Sequence, residues 1–493
     1  MTMIATLQQQ LGDDAVILPG TAMAGYLEER RGLFAQRPAQ AVVRPANTRE
    51  VAATVRIAAE HGVGIVPQGG NTGLCGGAAA THPQTLILSL ERLDRIRDVD
   101  ADNFTLTAEA GCTLSALQTA AADAGRLFPL SYAAENDCQI GGNLATNAGG
   151  MNVLRYGNAR DLALGLEVVL ADGRIWDGLR TLRKDNSGYD LKDVFIGAEG
   201  TLGIITAASL KLFPPVCERA TAIVGLESAA AAVSLFGRLR AASGDTITSC
   251  ELMGREPLGL ALEHAADCHE PLTRRFPWYL LVELTSSAAS AELDARLEQA
   301  LRPDDAGVGD YRIAPDAATA ADFWRLRNSI PGAQKGAGAS IKNDVSVPVA
   351  DIPAFIEAAS AAVTEACPGV RPCAFGHIGD GNIHFNLTRP TDASDDAFLA
   401  QWGPLTQRVH DIAMQYRGSF AAEHGVGQLK PEEVARLKSP VEQDLMRQLK
   451  AAFDPADRLN PGKVVPPAGS LSPRIDGAAS AAPHRSYQSP GQK

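Results

Sequence analysis

Gly64-Ile-Val-Pro-Gln-Gly-Gly-Asn-Thr-Gly-Leu-Cys-Gly-Gly77 opens as a short apolar strand and runs straight into a loop of glycine, asparagine and threonine without charge. Two more such stretches follow, Ile140-Gly-Gly-Asn-Leu-Ala-Thr-Asn-Ala-Gly-Gly150 and Phe195-Ile-Gly-Ala-Glu-Gly-Thr-Leu-Gly-Ile-Ile-Thr206. A single glycine loop is usually only a turn. Three within one region, poor in charge, expose backbone N–H groups that form anion-binding nests suited to a pyrophosphate. The pattern is not a dinucleotide-binding fingerprint: there is no G-x-G-x-x-G, and the first loop opens no obvious helix. The residues therefore predict a nucleotide cofactor with a pyrophosphate, held in a different manner.

Around this core, 493 residues leave room for two or three domains. A hydrophobic content of 45% and a charged content of 21% describe an ordinary soluble protein. A net charge of −12 argues against nucleic acid and anionic membranes as partners. The N-terminus lacks the basic start and apolar run of a secretory signal, and no stretch approaches the roughly 20 apolar residues of a membrane span. Eight cysteines without a C-x-x-C pair indicate neither a disulfide framework nor a cysteine zinc site. A cytoplasmic location is the expectation.

Local signals set the elements. Asn47 followed by Glu50 opens a helix that Gly62 stops, and Asp172-Gly173 turns a hairpin within Leu166–Trp176. After Pro214-Pro215 alanine-rich helices such as Ser228 to Ala242 alternate with apolar strands such as Trp278–Leu284, so a second domain begins near Val216. Ser439, Pro440 and Glu442 start a late helix with Leu445, Leu449 and Phe453 as its apolar face. The chain from Pro466 onward is too poor in apolar residues to bury a core and is expected to be disordered.

Cys373-Ala-Phe-Gly-His-Ile-Gly-Asp-Gly-Asn-Ile-His-Phe-Asn386 reads as a hairpin. If it is centred on Asp380-Gly381, His377 lies across from His384, with Cβ atoms roughly 4.5–5.5 Å apart, and Asn386 shares their face. Downstream, Glu423-His424-Gly425-Val426-Gly427 adds a carboxylate, a histidine and two glycines that permit close backbone approach. His377, His384 and Glu423 form the ligand set of an open catalytic zinc site.

Taken in order, Pro67–Gly73, Ile140–Gly150, Gly197–Ile204, the histidine hairpin and Glu423-His424-Gly425 resemble the FAD-dependent 2-hydroxyacid dehydrogenases of the vanillyl-alcohol-oxidase, or PCMH-type, fold. The resemblance spans roughly residues 35 to 465. It includes enzymes acting on D-2-hydroxyglutarate, D-lactate and glycolate, the first being the best match. It implies an α+β fold: a two-lobed FAD-binding domain (1–215), a middle substrate and metal domain with antiparallel sheet and helices (216–425), a small C-terminal helical segment (426–465) and a tail (466–493). It implies FAD contacts from Pro67, Gln68, Gly69, Gly70, Asn71, Thr72 and Gly73, from Gly141, Gly142, Thr146, Asn147, Gly149 and Gly150, from Glu199, Gly200 and Ile205, and from Asn460. Members that attach FAD covalently often carry histidine after the first Gly-Gly; Asn71 stands here, so noncovalent FAD is expected.

Oxidising a secondary alcohol needs a base for the O–H proton and an acceptor for the hydride. The flavin is the acceptor. His424 is the expected base, since a histidine titrates near working pH. A divalent metal on His377, His384 and Glu423 would hold the substrate hydroxyl, with zinc first and manganese, iron or cobalt open. The resemblance places substrate contacts at Arg327, Lys342, Asn386 and His424, and sets Pro331 where the 2-hydroxyglutarate enzymes carry threonine. The expected reaction is oxidation of D-2-hydroxyglutarate to 2-oxoglutarate, with D-lactate, D-malate and glycolate as alternatives. Electrons would leave to a separate acceptor, an electron-transfer flavoprotein or a quinone, and a homodimer is expected without a sequence signal behind it. A metal hydrolase has no use for three glycine loops, and the ether-lipid synthase branch of the fold relies on a histidine run absent here. A noncatalytic FAD subunit would not need the metal, base and cation positions.

Overall fold

The computed structural model describes residues 1–466 except 30, 35–38, 83 and 303–306. The expected disorder of 466–493 thus falls, from 467 on, outside the described residues. The fold is α+β, built on three sheets. A small sheet orders Val16–Ile17, Val42–Val43, Thr85–Ser89 and Gly64–Gln68. Its last two pairings are parallel, and helix Thr48–Glu60 covers it. That helix starts as its capping residues dictate: Asn47 accepts the Glu50 N–H, and Glu50 accepts the Ala46 N–H. A five-stranded antiparallel sheet orders Ile96–Asp100, Thr105–Glu109, Ile204–Lys211, Ala163–Val169 and Ile175–Gly178.

The third sheet is antiparallel, has eight strands and lies between Glu218 and Thr388. Its order is Val308–Ile313, Glu218–Leu226, Trp278–Ser286, Ile247–Gly254, Arg371–His377, Asn382–Thr388 and Ser340–Ile341, with Asp344–Ser346 also pairing with Asn382–Thr388. Helices Ala229–Ser243 and Ile352–Ala366 bury one face around Leu235, Leu252, Val282 and Phe355. The opposite face carries the chemistry. The chain then returns to the first lobe: Ile65 donates to the Arg458 carbonyl and accepts the Asn460 N–H, both at 2.7 Å, while Leu459 enters that lobe's core.

Three sequence expectations change here. Phe375, not His377, faces His384, and Cys373 faces Asn386. The connection is the four-residue loop 378–381 rather than a two-residue turn. The third strand decides this, because Ser346 pairs with Asn382 and the Asn382 amide donates to Asp344 at 2.8 Å. A displacement of two residues leaves every side chain on its expected face. Second, Ile140–Ala145 is a short helix rather than loop. Third, the capping box of helix Pro440–Phe453 forms at Ser439 and Glu442, but Leu445 and Leu449 are exposed. The helix docks instead through Gln443, which donates to the Ala435 and Lys438 carbonyls, and through Lys450, which donates to the Thr201 and Leu459 carbonyls. Phe453 alone of the expected face packs inward, 5.3 Å from the Phe195 ring. No helix among the described residues is long and apolar enough to cross a membrane.

Candidate active site

Strand alternation sends Glu251, His377, His384 and Asn386 to this second face of the large sheet, Glu251 directly across from His377. The ring centroids of His377 and His384 lie 5.9 Å apart. The loop after Ser419 brings Glu423 between them, Oε1 at 3.4 Å from His377 Nδ1 and Oε2 at 3.7 Å from His384 Nε2. Each imidazole has a carboxylate behind it at ion-pair rather than hydrogen-bond distance. His377 Nε2 lies 3.6 Å from Glu251 and 3.3 Å from Arg327 Nη2, and His384 Nδ1 lies 3.5 Å from Asp344. Carboxylates behind imidazoles fix ring orientation in metal sites.

Burial, offset only in part by Asp344, drives the His384 pKa well below its ordinary value and keeps the ring neutral, the form a metal ligand needs. Burial also lifts Glu423 above the ordinary carboxylate range. At His377 burial opposes the charged form, yet Glu251 and Glu423 outweigh it and raise the pKa. His377 Nδ1 is buried without a hydrogen-bond partner in the described structure. Asp344, Glu423 and His424 also bring one ligand atom each within 4.8 Å of one another. Asp344 is the weaker candidate, because its oxygens already accept the N–H groups of Glu423 (2.9 Å) and His424 (3.0 Å) and the Asn382 amide. The nitrogens of His377 and His384 that face Glu423 are the ones left to bind a cation.

Two buried carboxylates hold the Glu423–Gly427 loop. Asp344 grips its start. Burial works against the Asp344 charge, but His424, His384, Lys430 and the loop N–H outweigh it and keep the carboxyl well below its usual range. Glu199, from the third glycine stretch, accepts the N–H groups of Val426 and Gly427 at 2.8 and 2.9 Å. A Cβ on Gly425 would sit 2.7 Å from Glu199 Oε1, and its φ is +72°, so glycine is required there. His424 stacks on His384, and its Nδ1 lies 3.3 Å from Asp344 Oδ2. With Nδ1 turned to Asp344, Nε2 is the nitrogen free to take a proton.

The expected substrate contacts divide. Arg327 donates to Glu251 at 2.8 Å, both side chains being buried, so its charge is already matched. Asn386 is committed as well, donating to Gln334 at 2.8 Å and accepting the Asn343 N–H. Lys342 donates to Gln334 Oε1 and to no carboxylate among the described residues. Glu251, Gln334 and Asp344 were not singled out in the sequence. For Glu251 the available signal was a carboxylate set beside Leu252 and Met253 in a strand, Ile247–Gly254.

Pro67 through Gly73, Gly141, Gly142, Thr146, Glu199, Gly200 and Ile205 line one cleft, and His424 lines it with them. Asn147, Gly149, Gly150 and Asn460 do not. Asn147 accepts the Arg160 N–H, a Cβ on Gly149 would lie 3.4 Å from Glu423, and Asn460 donates to the Gly77 and Glu199 carbonyls, tying two glycine stretches together. The cleft suits a flavin nucleotide. Gln139 Oε1 and Asn143 Oδ1, both on its wall, are buried without partners, and the glycines admit close backbone approach. At Gly70 a Cβ would fall 1.8 Å from the Asp137 carbonyl oxygen. Gly70→Ala should therefore lower the melting temperature by several degrees, from an overpacking cost of roughly 1–3 kcal/mol, and reduce FAD per chain. Differential scanning fluorimetry and flavin absorbance measure both. A second cavity, of ≈250 Å³, lies between Tyr156 and Trp324. Its acid Glu283 is engaged by Arg219, Thr221 and Trp324.

A cleft of this kind facing a histidine–carboxylate sheet defines a flavin-linked oxidoreductase. Residues 39–178 match the family model described as FAD binding domain, and 217–464 match FAD linked oxidases, C-terminal domain. The chain is 38% identical to a probable mitochondrial D-2-hydroxyglutarate dehydrogenase of Oryza sativa subsp. japonica, over 92% of this chain and 80% of that protein. It is 37% identical to D-2-hydroxyglutarate dehydrogenase of Xanthomonas citri pv. viticola, over 86% and 89%. A solved 4-ethylphenol oxidase from Gulosibacter chungangensis shares the fold, with a TM-score of 0.73 at 17% identity over 94% of this chain and 97% of that one. The chain belongs to the FAD-dependent D-2-hydroxyacid dehydrogenase family.

Proposed function

We propose that this enzyme oxidises D-2-hydroxyglutarate to 2-oxoglutarate, with noncovalent FAD in the cleft and a divalent metal, zinc first, on His377, His384 and Glu423. The observation that carries the metal and base assignments is the placement of Glu423 between one nitrogen of each histidine, with His424 adjacent and facing the glycine-lined cleft. FAD supplies the hydride acceptor, and the metal supplies a Lewis acid for the hydroxyl and its neighbouring carboxylate. The protein's own part is orientation and proton handling. His424 Nε2 takes the hydroxyl proton, and Asp344 stabilises the imidazolium across 3.3 Å. Lys342, half-buried with no carboxylate partner among the described residues, favours a second carboxylate on the substrate. Asn71 donates its amide to the Glu28 carbonyl at 2.6 Å and offers no nucleophile for covalent attachment. Electrons then pass to a separate acceptor.

Pro331 favours a second reading, D-lactate or D-malate, because proline offers neither a hydroxyl nor an N–H donor to a distal carboxylate. Anaerobic mixing decides between them. The yellow holoenzyme should bleach with D-2-hydroxyglutarate at a higher kcat/KM than with D-malate or D-lactate. Bleaching by lactate alone would establish the second reading, and no bleaching with any 2-hydroxyacid would reject both.

A further inference from the structure

Residues 458–464 return to the flavin lobe and bring with them a buried lysine that the proposed reaction does not use. Lys463 is 2% exposed. Its ammonium donates to the Gly77 and Ala79 carbonyls at 2.9 and 2.6 Å and to Asn460 Oδ1 at 2.7 Å. A charged lysine has three N–H donors, and here each has its own acceptor. Two of those acceptors belong to the end of the first glycine stretch.

These contacts close a ring of three segments. Asn460 donates to the same Gly77 carbonyl at 2.9 Å and to the Glu199 carbonyl at 2.7 Å. The Glu199 carboxylate accepts the Val426 and Gly427 N–H groups, and the Val464 N–H reaches the Gly427 carbonyl at 3.2 Å. The Cys75 carbonyl accepts the N–H groups of Gln428 and Leu429. The first glycine stretch, the segment after His424 and the C-terminal segment are therefore each bonded to the other two. Val464 sits at φ +65°, a backbone that a β-branched residue keeps only where the surrounding contacts impose it. Cys75, Gly77 and Glu199 line the flavin cleft together with His424, so the ring is part of the cleft wall.

We infer that Lys463 is a positioning residue. From the C-terminal segment it sets the first glycine stretch against the loop that carries Glu423 and His424, so that cofactor retention and the placement of that loop depend on one ammonium. Its effect on reaction rate rests on His424 as the base. Its effects on cofactor release and on loop exposure do not, and should His424 prove not to be the base, those two measurements still decide the role of Lys463.

Lys463→Met removes the three donors and keeps an unbranched apolar side chain. On dilution of the holoenzyme, FAD should leave this variant roughly 10–100-fold faster than wild type, read from the flavin fluorescence. At saturating FAD the Val426 and Gly427 amides should exchange about tenfold faster, and anaerobic flavin reduction should be about tenfold slower. Lys463→Gln, which keeps two donors, should fall between the two proteins on each measure. Adding Glu199→Gln to Lys463→Met should not multiply the losses, because both changes open the same ring. Wild-type FAD release and loop exchange in a folded Lys463→Met or Lys463→Gln protein would overturn the inference. So would fully multiplicative losses in the double variant, which would mark Lys463 and Glu199 as independent structural contacts.

Discussion

His424→Ala should slow anaerobic flavin bleaching by roughly 10²–10⁴-fold, the usual worth of a positioned base, while FAD and metal contents stay at wild-type levels. The geometry motivates this separation of effects. The loop that carries His424 is held through backbone N–H groups, by Asp344 at one end and Glu199 at the other. Removing the imidazole leaves those hydrogen bonds and the Glu423 carboxylate in place. The ring itself touches the site from one side, stacked on His384 and turned by Asp344. Stopped-flow absorbance gives the rate, and the flavin spectrum and elemental analysis give the occupancies. A variant that loses FAD yet reduces its remaining flavin at the wild-type rate would make His424 a structural contact and move the base elsewhere.

Removal of the metal should abolish turnover with FAD still bound. Chelation, His377→Ala and His384→Ala should all converge on that state, with metal falling from about one per chain toward none. The flavin cleft lies between the glycine stretches, and neither histidine lines it, so flavin absorbance should persist in each variant. His377→Ala has an added consequence. Arg327 and Glu251 flank the His377 ring, and Glu251 Oε1 already lacks a hydrogen-bond partner. Losing the ring leaves that buried carboxylate facing a void, so this variant should also melt lower than His384→Ala. Full activity in a preparation shown by elemental analysis to be metal-free would defeat the assignment of all three ligands.

The sequence by itself determined the features that depend on near neighbours. Asn47 and Glu50 start a helix, Ser439 and Glu442 another, and Asp172-Gly173 turns a hairpin, because each satisfies backbone groups a few residues away. The histidine face of the hairpin was legible for a related reason. Side-chain direction alternates with a period of two, so even a two-residue error in register left His377 and His384 on one side. The glycine stretches were legible because only glycine tolerates the close approach found at Gly70 and Gly425.

Tertiary structure alone decided which charges are free. Arg327 and Glu251 are 76 positions apart, Asp344 and His424 are 80, and Glu199 and Gly427 are 228. No local rule links such pairs, and their meeting depends on which strands become neighbours in the large sheet and where the Glu423–Gly427 loop docks. The late helix failed for the same reason: Leu445 and Leu449 form a regular apolar stripe, yet the groups offered to that helix were the carbonyls of Ala435, Lys438, Thr201 and Leu459. Buried polar groups demand partners more strictly than exposed leucines demand cover, so the helix turned its Gln443 and Lys450 inward.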